Sequence, residues 1–152
     1  MNILITGANG FIGKCLAYNM KDEHNIFKIV NGKTYSSKNN TFTVDLLNKY
    51  HVNIFLKEEI NIDVIIHLAA VMCSNENKKN ISLMSDNLKI YENLTLIINK
   101  LEPSKVINFS STAVYPNRDG EFSENSEIRP SINADAFYGL AKFCGENILD
   151  TF

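Results

Sequence analysis

Three cysteines, Cys15, Cys73 and Cys144, are all that the sequence holds, widely spaced and odd in number. That excludes a disulfide framework and a cysteine-based zinc pattern, and predicts reduced packing residues. No apolar run approaches the roughly 20 residues of a membrane-spanning helix. No block of one charge sign is present either. Fifteen Lys and Arg are interspersed with 17 Asp and Glu for a net charge of −2, so neither a nucleic-acid nor a membrane surface is expected. The first residues show no charged leader or small-residue cleavage site, which predicts a cytoplasmic chain. No cluster of His, Cys and carboxylates has metal-ligand spacing. There is no internal repeat and no low-complexity linker.

What remains is ordinary globular composition. The chain has 152 residues, 45% apolar and 21% charged. This predicts one domain over residues 1–152 with a buried core of useful size.

Short apolar runs alternate with helical patterns. Asn2–Thr6 reads as a buried strand ending in a glycine turn, and Phe11–Met20 as the helix that follows. Ile26–Val30, a weak Phe42–Val44, Val64–Leu68 and Val106–Phe109 read as further strands. Leu46–Ile60, Leu83–Leu101 and Phe137–Asp150 read as helices, the second closed by Pro103. Strand–helix alternation predicts an α/β fold, a doubly wound parallel sheet of Rossmann-like type with right-handed crossovers. Ligands of such sheets bind beyond the carboxyl ends of the strands, where Gly7, Asp45, Ala69 and Ser111 fall.

Two motifs carry chemistry. Gly7, Gly10 and Gly13 follow a strand and open a helix. Glycine lets the turn be tight and the backbone approach phosphates, while the helix N-terminus offers free N–H groups and partial positive charge. The bland reading is a plain strand-to-helix turn, which the position of the motif after the first strand of a βαβ pattern disfavours. The G-x-x-G-x-x-G spacing favours a short-chain-type reductase site over the tighter G-x-G-x-x-G form. In the second motif, Tyr138 and Lys142 stand four apart and share a helix face. A nearby ammonium favours the phenolate and makes Tyr a usable acid/base. Alone, the pair reads as well as a packed Tyr beside a surface Lys. Ser111, at a strand end where the sheet binds ligand, tips the balance, since its hydroxyl could bond a substrate oxygen alongside Tyr138. The competing role for Ser111 is to cap the next turn. His67, inside an apolar strand, reads as a structural hydrogen bonder. His24 and His51 read as loop or helix-surface residues without a role.

Four segments together resemble a known family: Thr6–Gly13, Asp63–Ala70, Phe109–Pro116, and Tyr138–Lys142 with Glu146. The chain resembles the extended short-chain dehydrogenase/reductases of the NAD-dependent epimerase/dehydratase type, oxidoreductases and isomerases that act on nucleotide sugars. The resemblance runs the length of the chain in the right order. It implies that Gly7, Asn9, Gly10, Phe11, Ile12 and Gly13 hold the cofactor pyrophosphate, and that Asn31 and Lys33 lie at the loop facing the adenosine ribose. Asp45 and Leu46 would lie by the adenine, and Leu68, Ala69 and Ala70 on the nicotinamide-ribose side. Ser111, Tyr138 and Lys142 would be catalytic, with Tyr138 as acid/base and Lys142, like Tyr138, also touching the cofactor.

Departures from the family narrow the reading. Dehydratases carry Asp-Glu where Thr112-Ala113 stand, and combined epimerase-reductases carry Cys at the Ala113 position. A 4-epimerase or a 4-keto reductase remains. No acidic residue ends the second strand, where Val30-Asn31-Gly32-Lys33 stand, so NAD or NADP is expected as cofactor. Family members resemble this chain over about their first half. The expected chain therefore lacks the last strands and the substrate domain, with apolar surface left at the edge of the fifth strand and on the last helix. Two other readings compete with the enzyme portion. One is a non-catalytic NAD(P)-binding module, or a truncated relic that assembles with a partner. The other is a fragment that pairs with its own copy as a homo-oligomer.

Overall fold

The computed structural model describes residues 1–152, which gather into two compact units. The first comprises Met1–Ala70 with Glu92–Phe109, and the second Val71–Tyr91 with Ser110–Phe152.

The first unit is built on one sheet of six strands. In chain order these are β1 (Asn2–Thr6), β2 (Asn25–Val30), β3 (Ser36–Lys38), β4 (Thr41–Thr43), β5 (Val64–His67) and β6 (Lys105–Asn108). The order across the sheet is β3-β4-β2-β1-β5-β6. Every pairing is parallel except β3 with β4. Helix α1 (Phe11–Met20) follows β1 and α2 (Lys49–Phe55) follows β4; α3 (Ser82–Leu101) precedes β6.

Side chains alternate across the sheet. Ile3, Ile5, Val64 and Ile66 form a core with Ala8, against which Leu16, Ala17 and Met20 of α1 pack. On the opposite face Leu4 and Ile65 are wholly buried. Burial on both faces explains why β1 and β5 read as unbroken apolar runs. Thr6 and His67 share that second face and are buried too. Strand β6 ends the sheet, and Ile107 with Phe109 just beyond it is partly exposed at that edge.

Three sequence-based expectations need correction. The sheet is not wholly parallel, because Ser36–Lys38 adds an antiparallel edge strand. Asn39 and Asn40, at φ 49° and 57°, supply the left-handed two-residue turn that such a hairpin requires. The helix expected over Leu46–Ile60 is only Lys49–Phe55. The Asp45 carboxylate accepts the Leu47 N–H at 2.9 Å and the Asn48 side chain accepts the Tyr50 N–H at 3.0 Å, so a turn occupies the residues before the helix. Finally, Cys15 is exposed rather than packed, while Cys73 and Cys144 are half-buried and all three are free thiols.

The second unit contains the start of α3, two 3-10 turns at Thr112–Val114 and Pro130–Ile132, and helix α4 (Ala136–Leu149). No helix in the chain is long and apolar enough to cross a membrane.

Candidate functional site

The glycine turn lies at the carboxyl end of β1. Gly7 has φ +68°, and a Cβ there would sit 2.9 Å from the Ala69 nitrogen. A Cβ on Gly13 would sit 2.5 Å from the Gly7 oxygen and 2.7 Å from the Ala8 Cα. Both positions are glycine because the fold itself leaves no room. Gly10 differs. Its φ is −71° and a Cβ would meet only the Gly7 oxygen at 3.2 Å, tight but longer than the contacts at Gly7 and Gly13. Gly10 is the N-cap of α1 but offers no side-chain cap, and no acidic residue stands in the first turn. The opening N–H groups of α1 are thus left for an anion. Asn9, Gly10, Phe11 and Ile12 are all exposed there, Phe11 almost fully.

The neighbouring strand ends are locked by Thr6. Its hydroxyl oxygen accepts the Leu68 and Ala69 N–H groups at 3.2 and 3.3 Å and lies 2.8 Å from His67 Nδ1. The Leu68 N–H is shared between this hydroxyl and the Thr6 carbonyl oxygen, at 3.3 Å from the latter. His67 is a structural bonder, and Leu68, Ala69 and Ala70 are half-buried beside it. Asn31 and Lys33 lie exposed on the loop after β2.

At the end of β4 the turn Asp45–Asn48 is held from several sides. The Asp45 N–H donates to His51 Nδ1 at 3.2 Å, and the Asn48 N–H to the Asp45 carbonyl at 3.0 Å. Asn93 Nδ2 of α3 donates to the Leu46 carbonyl at 2.7 Å. His51 is only 6% exposed, which corrects its expected place on a helix surface. Its partner is a backbone N–H six residues earlier, which nothing in the sequence pattern signals.

In the second unit, Tyr138 and Lys142 share one face of α4 and are 8% and 3% exposed. Lys142 is thus a buried cation, not a surface lysine. Its Nζ lies 5.8 Å from the ring centres of both Tyr138 and Tyr91. Burial pushes its pKa down to about 8, partly offset by the Glu146 carboxylate one turn on. Glu146 also accepts a hydrogen bond from the Ser110 hydroxyl. Tyr138 moves the other way from the sequence expectation. Burial, with a smaller contribution from Cys73, raises its pKa, so in the free chain the phenol stays protonated. Its hydroxyl faces Met72 Sδ at 3.9 Å.

Ser111 begins the first 3-10 turn. Its oxygen accepts the Ala113 N–H at 3.2 Å, the capping role, which leaves its own proton free to donate. That turn abuts α4 one residue after Tyr138: a Cβ on Gly139 would lie 2.1 Å from the Ala113 carbonyl oxygen. Glycine at 139 lets the Ser111 turn approach the start of α4.

The chain is similar to known proteins in sequence and fold. The NAD dependent epimerase/dehydratase family matches residues 3–152. GDP-6-deoxy-D-talose 4-dehydrogenase of Aggregatibacter actinomycetemcomitans is 31% identical over 154 residues, covering 100% of this chain and 48% of that protein. UDP-glucose 4-epimerase of Mycoplasma genitalium is 27% identical over 162 residues, covering 97% and 47%. Among solved structures, the Helicobacter pylori ADP-L-glycero-D-manno-heptose-6-epimerase superposes with TM-score 0.74 at 28% identity, covering 99% of this chain and 50% of that one. The UDP-glucose 4-epimerase from Bifidobacterium longum, in complex with NAD+ and UDP, shares the fold at TM-score 0.77 and 22% identity, covering 99% and 48%. The chain spans about half the length of the curated relatives it matches. With a match running from residue 3 to residue 152, the chain belongs to the NAD dependent epimerase/dehydratase family.

Proposed function

We propose that residues 1–152 are the dinucleotide-binding portion of a nucleotide-sugar 4-epimerase or 4-keto reductase, and that Ser111, Tyr138 and Lys142 are its catalytic residues. The observation that carries the reading is the burial of Lys142. A lysine 3% exposed on the face of a buried tyrosine is costly, and a merely amphipathic helix would have turned it to solvent.

The chain fits a dinucleotide at the glycine turn. Gly7 and Gly13 are fixed by close backbone packing, Gly10 is less tightly enclosed and exposed, and the first N–H groups of α1 have no side-chain cap. Those N–H groups would bind the pyrophosphate. Asp45 and Leu46 would take the adenine, and Leu68, Ala69 and Ala70 the nicotinamide-ribose side. Bound NAD or NADP would supply hydride acceptance and donation at the sugar carbon. Tyr138 would hold the proton that leaves or joins the sugar oxygen. Its raised pKa keeps it protonated in the free chain, the form needed to donate to a carbonyl oxygen. Ser111 would donate a second hydrogen bond to the same oxygen. Lys142 would bring positive charge to the phenol as a proton leaves it, and would touch the ribose. Lys33, and the lack of a carboxylate at the end of β2, leave room for a 2′-phosphate, so NADP is as acceptable as NAD.

The test is a full-length protein containing this segment. Tyr138→Phe should nearly abolish turnover of a nucleotide sugar while the cofactor still binds. Ser111→Ala should cost roughly 10²–10³ in rate, the size of one lost donor to a developing oxyanion. Wild-type turnover in Tyr138→Phe would refute the catalytic assignment.

A further inference from the structure

We propose that His51 and Asn93 are positioning residues that hold the Asp45–Leu46 turn in the shape that reads the adenine edge, an inference that rests on the dinucleotide reading above. Both side chains are buried, His51 at 6% and Asn93 at 0% exposure, and a buried polar group is costly unless its hydrogen bond serves. Both spend that bond on the backbone of the same two residues. His51 of α2 accepts the Asp45 N–H, and Asn93 of α3 donates to the Leu46 carbonyl. The Asn93 oxygen is buried without a hydrogen-bond partner, so the Nδ2 bond to the Leu46 carbonyl is what offsets the burial of this amide.

The bonds decide what the turn has left to offer. The Asp45 N–H goes to His51, the Leu47 N–H to the Asp45 carboxylate, and the Asn48 N–H to the Asp45 carbonyl. Of the turn's groups, the Leu46 N–H, a donor, and the second Asp45 carboxylate oxygen, an acceptor, take part in none of these bonds. Adenine presents the complement, an N1 acceptor beside a 6-amino donor. Hypoxanthine presents the reverse, an N1–H donor beside a 6-oxo acceptor. The turn also lies where an adenine would be sought, at the carboxyl end of a parallel strand two places from β1 and its glycine turn. His51 must keep Nδ1 unprotonated to accept, which sets the ring proton on Nε2.

Calorimetric titration of the 152-residue chain with NAD and with nicotinamide hypoxanthine dinucleotide tests this. Wild type should prefer NAD by about tenfold, as expected for two ordinary hydrogen bonds exchanged for mismatches. His51→Leu and Asn93→Leu should each bring the preference to within about twofold. His51→Asn, whose amide oxygen can stand where Nδ1 does, should restore it. General destabilisation would weaken both ligands together and leave the ratio unchanged. An undiminished ratio in folded His51→Leu overturns the proposal, as does a collapsed ratio in His51→Asn. Should the leucine variants melt below the assay temperature, the His51→Asn ratio decides alone. Equal affinity for both dinucleotides in wild type also overturns it. Failure of folded wild type to bind either one instead removes the dinucleotide reading on which it rests.

Discussion

Replacing Lys142 with Met should change how stability depends on pH, by an amount fixed by the burial of its ammonium. The folded chain holds the Lys142 pKa near 8 against an ordinary 10.5. Between those values the unfolded chain binds more protons than the folded one, so this lysine makes stability rise with pH across that window. At about 1.4 kcal/mol per pH unit the whole window is worth about 3 kcal/mol, of which about 1 kcal/mol appears between pH 7 and pH 9. For a chain of this size that is about 3 °C of melting temperature at pH 9 and about 10 °C once the window is crossed. Tyr138 and Cys73 are acids with raised values and act with the opposite sign, lowering stability as pH rises past their unfolded values. The wild-type minus Lys142→Met difference cancels them. Thermal melts of both cofactor-free chains at half-unit steps from pH 7 to pH 10 give that difference directly. It should grow steadily in favour of wild type. A difference that stays flat would refute the idea that Lys142 is buried as a desolvated cation.

The glycines of the turn should separate by role. Gly13→Ala should destabilise the chain by roughly 1–3 kcal/mol, because its Cβ meets backbone at 2.5 and 2.7 Å, and urea melts would show it. Gly10→Ala, whose Cβ meets only the Gly7 oxygen at 3.2 Å, should cost less stability than Gly13→Ala yet weaken cofactor binding, since Gly10 is exposed at the opening of α1; unchanged affinity by calorimetry would count against the cradle. At the loop after β2, NADP should bind at least as well as NAD, and Lys33→Ala should weaken NADP selectively. A strong preference for NAD that survives Lys33→Ala would show that this loop does not set cofactor choice.

Much of the fold was legible because its central strands are buried on both faces. Asn2–Thr6 and Phe11–Met20 coincide with β1 and α1. The strands expected at 64–68 and 106–109 differ from β5 and β6 by one residue at their ends. Strand β3 was not legible because Ser36, Ser37 and Lys38 are all exposed and have no apolar alternation to detect. Its one signal was the Asn39–Asn40 pair, a turn whose left-handed backbone asparagine tolerates. The overlong helix at 46–60 arose because the turn at Asp45–Asn48 is closed by hydrogen bonds, which hydropathy does not encode. At the site, the Tyr138–Lys142 spacing was readable but the burial of Lys142 was not, nor was the direction in which Tyr138 shifts. Burial depends on what α4 packs against, as with the Ala113 carbonyl on Gly139, and that partner is distant in sequence. The role of His51 is hidden for the same reason: a lone histidine on a short helix gives no sign that a backbone N–H six residues earlier needs its lone pair.

The central claim is that these residues bind a nicotinamide dinucleotide through the glycine turn at the start of α1. Titration of NAD and of NADP into the purified 152-residue chain, with its fold confirmed by circular dichroism, tests it most directly. The account predicts saturable binding at one site per chain, lost in Gly10→Trp, whose side chain would fill the approach to the α1 N-terminus while its backbone angle stays ordinary. A folded wild-type chain that takes up neither dinucleotide, or a Gly10→Trp chain that binds as wild type does, would contradict it.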